Sequence, residues 1–144
     1  MDRILEMKFF LWLKNKFKPN PKSVYQLLGG EKVVRAIVAE FYQVMKTDPK
    51  ASECLALHAN DLQEAADKLF LFLSGWLGGP PLYEEKYGHP RLRMRHFKFP
   101  ITTLERDQWL YCMEQSLDRN KVKLELKSQM MAALSGLAER VRNS

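Results

Sequence analysis

A chain of 144 residues with 46% apolar and 28% charged content fits one domain, long enough to bury a core without cross-links. Two cysteines, Cys54 and Cys112, lack CxxC spacing, which excludes a disulfide framework or zinc knuckle and suits small buried thiols of a reducing, cytoplasmic compartment. The net charge is +6, but Arg3, Lys8, Lys14, Lys16, Lys18 and Lys22 against Asp2 and Glu6 place a surplus of four in residues 1–22, so the body lacks the basic stripe of a nucleic-acid reader.

Residues 1–22 form a basic N-terminal extension ahead of a domain over 23–144. Phe9-Phe10-Leu11-Trp12-Leu13 falls far short of the roughly twenty apolar residues of a bilayer span, and no small-residue cleavage site follows it. Lysines scatter around a helical wheel, so membrane contact through this arm is expected to be weak. It reads as an extra helix laying Phe9, Trp12 or Leu13 on the domain, with Lys18-Pro19-Asn20-Pro21 as linker.

Ser23 to Gln26 fits a capping box, and Gly29-Gly30 closes the short helix behind it. Val34, Ile37, Val38, Phe41 and Met45 make one helical face with Tyr42 beside it, and Thr47-Asp48-Pro49 ends that helix. Residues 49–60, with Cys54, Leu57 and His58, read as a connecting loop or a helical turn. Asp61 to Glu64 is a start signal for Leu62, Ala65, Ala66, Leu69, Phe72, Leu73 and Trp76 at helical spacing, and Gly78-Gly79-Pro80-Pro81 stops them. A loop with Tyr83 and Tyr87 is expected next.

Gly88-His89-Pro90-Arg91-Leu92-Arg93-Met94-Arg95-His96 then opens a helix of about two turns, with proline suited to its first position. Pro100 biases Phe99 towards extended backbone and bounds the segment. An imidazole among guanidiniums suits a ligand with a metal centre and pendant carboxylates, of which haem is one, although an arginine run is equally a solvated face. Thr102 to Glu105 fits a further capping box, and Trp109, Leu110, Met113 and Leu117 carry that helix to about Asp118. The last helix shows Leu126, Met130, Leu134, Leu137 and Val141 on one face. No stretch alternates with period two, so the class is all-α, either a filled bundle or crossed helices around a pocket.

Gly29-Gly30, Gly78-Gly79-Pro80-Pro81-Leu82-Tyr83, the string from Gly88 to His96 and Trp109-Leu110-Tyr111-Cys112-Met113 together resemble the group II truncated haemoglobins. The resemblance runs from about Ser23 to at least Leu117 and leaves the arm outside. It implies a two-over-two helical sandwich, here with an extra N-terminal helix, around non-covalent haem b and its iron. His96 matches the proximal ligand; His89 matches a position at the haem edge. Tyr42 and Trp109 match the distal hydrogen-bond donors to dioxygen or another diatomic ligand. Ala65 matches a small distal position, and His58 an aromatic-or-histidine one. Lys68, Tyr83 and Arg95 match positions that meet the propionates, and Leu69, Phe72, Leu73, Met94, Phe99 and Ile101 those that cover the porphyrin. The resemblance implies an oxygen-binding protein served by an unidentified reductase; its alternative is a haem enzyme oxidising nitric oxide or using peroxide.

Overall fold

The computed structural model describes residues 3, 4, 6–8, 22–58, 61–89 and 101–142. Residues 3, 4 and 6–8 of the arm are helical, while Phe9, Trp12, Leu13 and the Lys18 to Pro21 linker lie outside the described residues. The elements are α1 (Val24–Leu28), α2 (Glu31–Thr47), a 3-10 turn (Pro49–Ala51), α3 (Ser52–Leu57), α4 (Leu62–Trp76), α5 (Leu82–Tyr87), α6 (Thr103–Arg119) and α7 (Leu124–Val141), with no strand among the described residues. Helix α2 packs on α4, α6 packs on α7, and α2 against α6 joins the pairs into a two-over-two sandwich.

Local chemistry sets the helix starts. Ser23 and Gln26 form a reciprocal capping box at α1, and Thr102 and Glu105 do the same at α6. Asp61 accepts from Glu64 N at 3.1 Å to open α4. Of the alternatives for residues 49–60, a connecting loop or a helical turn, the helical one is found, and one expectation, the loop at Tyr83 and Tyr87, is corrected. Residues 49–57 wind into the 3-10 turn and α3, with Asp48 accepting from Lys50 N at 3.0 Å. Tyr83 and Tyr87 lie on α5 rather than in a loop. Pro80 and Pro81 stop α4 but leave the next residues free to turn again, and α5 packs on α4 with Tyr83 buried.

The core forms where α2 crosses between its neighbours. Val34, Ile37, Val38, Phe41, Val44 and Met45 of α2 meet Phe70 and Leu73 of α4 and Cys112, Met113 and Leu117 of α6; Met130 and Leu134 of α7 close it. The predicted face of α7 is observed as far as the structure describes it, since the Val141 side chain lies outside the described set. Two ties pin α6 to α2: Tyr111 Oη donates to Asp48 at 2.5 Å, and Arg119 pairs with Glu40 at 2.5 Å.

Helix α1 sits on the end of α4 through Tyr25 N donating to Leu77 O at 2.9 Å, and the Tyr25 ring lies over Gly79 so closely that a Cβ there would come within 2.5 Å of it. Gly79→Ala is therefore expected to destabilise by about 1–3 kcal/mol. Gly136 in α7 faces open space, and Gly136→Ala is expected to stabilise by about 0.5–1 kcal/mol. Chemical denaturation of both variants checks the contrast; equal midpoints would contradict the α1 seat.

Candidate functional site

Position along α2 decides what Tyr42 can do. Its neighbour Phe41 points into the core at 0% exposure, so Tyr42 sits at the core's margin, 9% exposed. Four rings cluster there: Phe41 and Tyr42 meet edge-on at 4.9 Å between centroids, Phe41 and Trp109 at 5.2 Å, and Tyr42 and His58 at 6.0 Å. Three of the predicted distal residues thus come together, contributed by α2, α6 and the end of α3.

Two of them carry donors that no described residue accepts. The Tyr42 hydroxyl and the Trp109 indole N–H make no hydrogen bond, yet no fully enclosed side-chain nitrogen or oxygen among the described residues lacks a partner. Both atoms therefore border open space. Burial raises the Tyr42 hydroxyl well above its ordinary 10.0, with Cys54 and Cys112 adding to the shift, so it stays protonated as a donor. Burial also pushes the Cys54 thiol up to about 12 and the Cys112 thiol up to about 11, which keeps the surroundings of Tyr42 uncharged.

His58 ends α3, where its Nδ1 lies 2.9 Å from Cys54 O. A carbonyl can only accept, so Nδ1 carries the proton and Nε2 the lone pair. At the other end of α3, the N-cap Ala51 has no side-chain oxygen to offer. Gln108 of α6 supplies it instead: Oε1 accepts from Cys54 N at 2.8 Å, while Nε2 donates to Glu53 Oε2 at 2.5 Å. Sequence reasoning missed Gln108, because a cap delivered from 54 residues away leaves no local pattern.

Along α4, Leu73 is buried, and Ala65, Leu69 and Phe72 are half-buried against the core. Phe72 meets Tyr83 edge-on at 6.4 Å, and Ile101 is buried ahead of α6. Lys68 is half-buried, paired with Glu64 at 3.0 Å and lying over the Tyr87 ring. The predicted wall and edge residues of α4 and α5 thus share one side of the fold. A groove of about 430 Å³ between α2 and α4 is lined by Tyr42 together with Val38, Leu62, Ala66 and Phe70. Met94, Arg95, His96 and Phe99 lie outside the described residues; His89, just before them, is exposed.

The family model described as bacterial-like globin matches residues 23–143. The group 2 truncated hemoglobin of Bacillus subtilis is 37% identical over 114 residues, covering 79% of this chain and 84% of that protein. Among solved structures, the group II 2-on-2 hemoglobin of Agrobacterium tumefaciens superposes with a TM-score of 0.83 at 39% identity, covering 88% of this chain and 98% of that one. The truncated oxygen-avid haemoglobin of Bacillus subtilis gives 0.75 at 35% identity, covering 85% of this chain and all of that one.

The neutral cluster has a pH signature. The unfolded chain releases the Cys54 and Cys112 protons near their ordinary 9.0 and the Tyr42 proton near 10.0, whereas the folded chain holds all three longer. Their contribution is therefore complete below pH 9 and lost as pH rises through the raised values. Unfolding free energy at stepped alkaline pH is expected to fall, and Tyr42→Phe is expected to flatten the part of that slope above pH 10.

Proposed function

Because this chain belongs to the bacterial-like globin family, among the group II truncated haemoglobins, we propose that it reversibly binds dioxygen, with Tyr42 and Trp109 as its distal donors and His96 as its proximal ligand. Membership brings the coarser function with it: the chain binds haem b non-covalently through iron and takes a diatomic ligand there. Bound haem supplies an iron with one position for an imidazole and one for that ligand. Everything else in the proposal is done by side chains of this chain.

The observation that carries it is the pair of unaccepted donors flanking Phe41 and bordering open space. A diatomic ligand that gains partial negative charge gives those donors an acceptor at the margin of the core, where a hydrogen bond is stronger than in bulk water. Each contributes roughly 1.5–3 kcal/mol if the acceptor is charged. The proximity of His58 to the Tyr42 ring supports a distal place for it, with Ala65 leaving the side towards α4 uncrowded.

In this reading Leu69, Phe72, Leu73, Met94, Phe99 and Ile101 cover the porphyrin, while Lys68, Tyr83 and Arg95 meet its propionates. The Lys68 ammonium, now shared with Glu64, suits a carboxylate at the site's rim. A cytoplasmic location with an unidentified reductase completes the proposal, and two free, buried cysteines accord with it. No helix of the described residues is long and apolar enough to cross a membrane.

Two measurements test it. Tyr42→Phe and Trp109→Phe are each expected to speed dioxygen release from the reduced protein by about ten- to a hundredfold in stopped flow; unchanged rates would remove them from the distal side. His96→Ala is expected to abolish porphyrin retention and His89→Ala to leave it intact, read from the optical spectrum of purified protein, and the reverse pattern would overturn the assignment of His96. Sustained turnover of nitric oxide or peroxide with a defined reductant would replace the carrier reading by the enzymatic one.

A further inference from the structure

Helix α3 is six residues long and would fray without help at its ends. Its first turn has orphan N–H groups and an N-cap alanine that cannot satisfy them. Gln108 crosses from α6 to fill this place, and it is buried, 8% exposed, with both ends of its amide engaged. Its Nε2 donates to Glu53, which also accepts from Ser52 Oγ at 2.8 Å. Those two hydrogen bonds, Gln108's first, hold the Glu53 carboxyl below its usual range, so the amide is fixed in one orientation with Oε1 towards Cys54 N.

The residue held by Gln108 is also the one that holds His58. Cys54 takes the Gln108 hydrogen bond on its N–H and the His58 hydrogen bond on its carbonyl, at 2.8 and 2.9 Å. We infer that Gln108 is a positioning residue for ligand binding: through the Cys54 backbone it fixes the His58 ring and its Nδ1–H form beside Tyr42. This rests on the reading that His58 lies on the ligand side. Its consequence is electrostatic. With Nδ1 committed to a carbonyl, the neutral ring keeps Nε2 without a proton, on a ring whose centroid lies 6.0 Å from that of Tyr42. Release of His58 lets the ring turn or change tautomer and present N–H instead, which changes the field at the ligand. Gln108 also precedes Trp109 in α6, so one stretch of backbone carries a distal donor and the clamp on its neighbour.

The test uses the haem-loaded, full-length protein in its reduced carbon monoxide form, whose C–O stretch reads the local field, together with ¹⁵N NMR of the His58 ring and dioxygen release rates. Gln108→Leu is expected to shift or split the stretch, release His58 from its single Nδ1–H tautomer, and change dioxygen release by roughly two- to tenfold, as for a coupled neighbour. In a His58→Phe background the same substitution is expected to add nothing to either the stretch or the rate. The paired swap Glu53→Gln with Gln108→Glu keeps an acceptor at 108 and a donor at 53, and is expected to restore the tautomer; it also serves should Gln108→Leu fail to fold. A Gln108→Leu protein altered in melting temperature alone, with stretch, tautomer and rate unmoved, overturns the proposal while leaving His58 in place, and so does a swap protein whose His58 tautomer is not restored. An unchanged stretch in His58→Phe itself removes His58 from the ligand side, and the role of Gln108 falls with it.

Discussion

An uncharged donor that no described residue accepts is the constraint on which this structure turns. Tyr42 is placed at the core margin by its neighbour Phe41, which must be buried, and its hydroxyl is kept protonated by the same burial. Two carboxylates of the corner that follows α2 are committed to other donors. Asp48 accepts from Tyr111 Oη and Lys50 N, which hold its carboxyl below the usual range, and Glu53 accepts from Gln108 and Ser52. Donors left over at the core margin are what a site for an electron-rich small ligand requires.

Helix α6 does most of the arranging. Within five residues it presents Gln108 to α3, Trp109 to the ring cluster, Tyr111 to the end of α2 and Cys112 to the core. A helix turns about 100° per residue, so consecutive positions reach different partners, and rigid backbone fixes the angles between them. The corner from Asp48 to His58 would otherwise be a loop with a 3-10 turn and six helical residues. Two side chains of α6 hold it, Tyr111 at Asp48 and Gln108 at Glu53 and Cys54, which is why a short segment can orient a ring at the margin of the core.

Much of this was legible in the sequence where the cause is local. The capping boxes at Ser23 and Thr102 and the start at Asp61 act within three residues, and the α2 face obeys a fixed period, so pattern alone found them. Helix α5 was not legible, because a six-residue helix after two prolines owes its stability to packing Tyr83 on α4 rather than to its own sequence. The ring cluster was named residue by residue only through family resemblance; helical spacing by itself gives Tyr42 and Trp109 as ordinary core. His96 was read from a contiguous motif and lies outside the described residues, so its role rests on that motif.

Gln108 marks the boundary of such reading, and the reason is physical. A buried amide in a helix amid charged neighbours looks like any solvated position, since nothing within a turn of it needs an acceptor. Its partner's need arises 54 positions earlier, from an alanine where a capping oxygen belongs. An alanine at an N-cap normally costs about 1 kcal/mol against serine or aspartate. Ala51 is wholly buried beneath α6, where a polar side chain would itself lose water. The packing of α6 on the turn thus both forbids a local cap and brings a distant one within reach, so the same contact creates the deficit and supplies the residue that fills it.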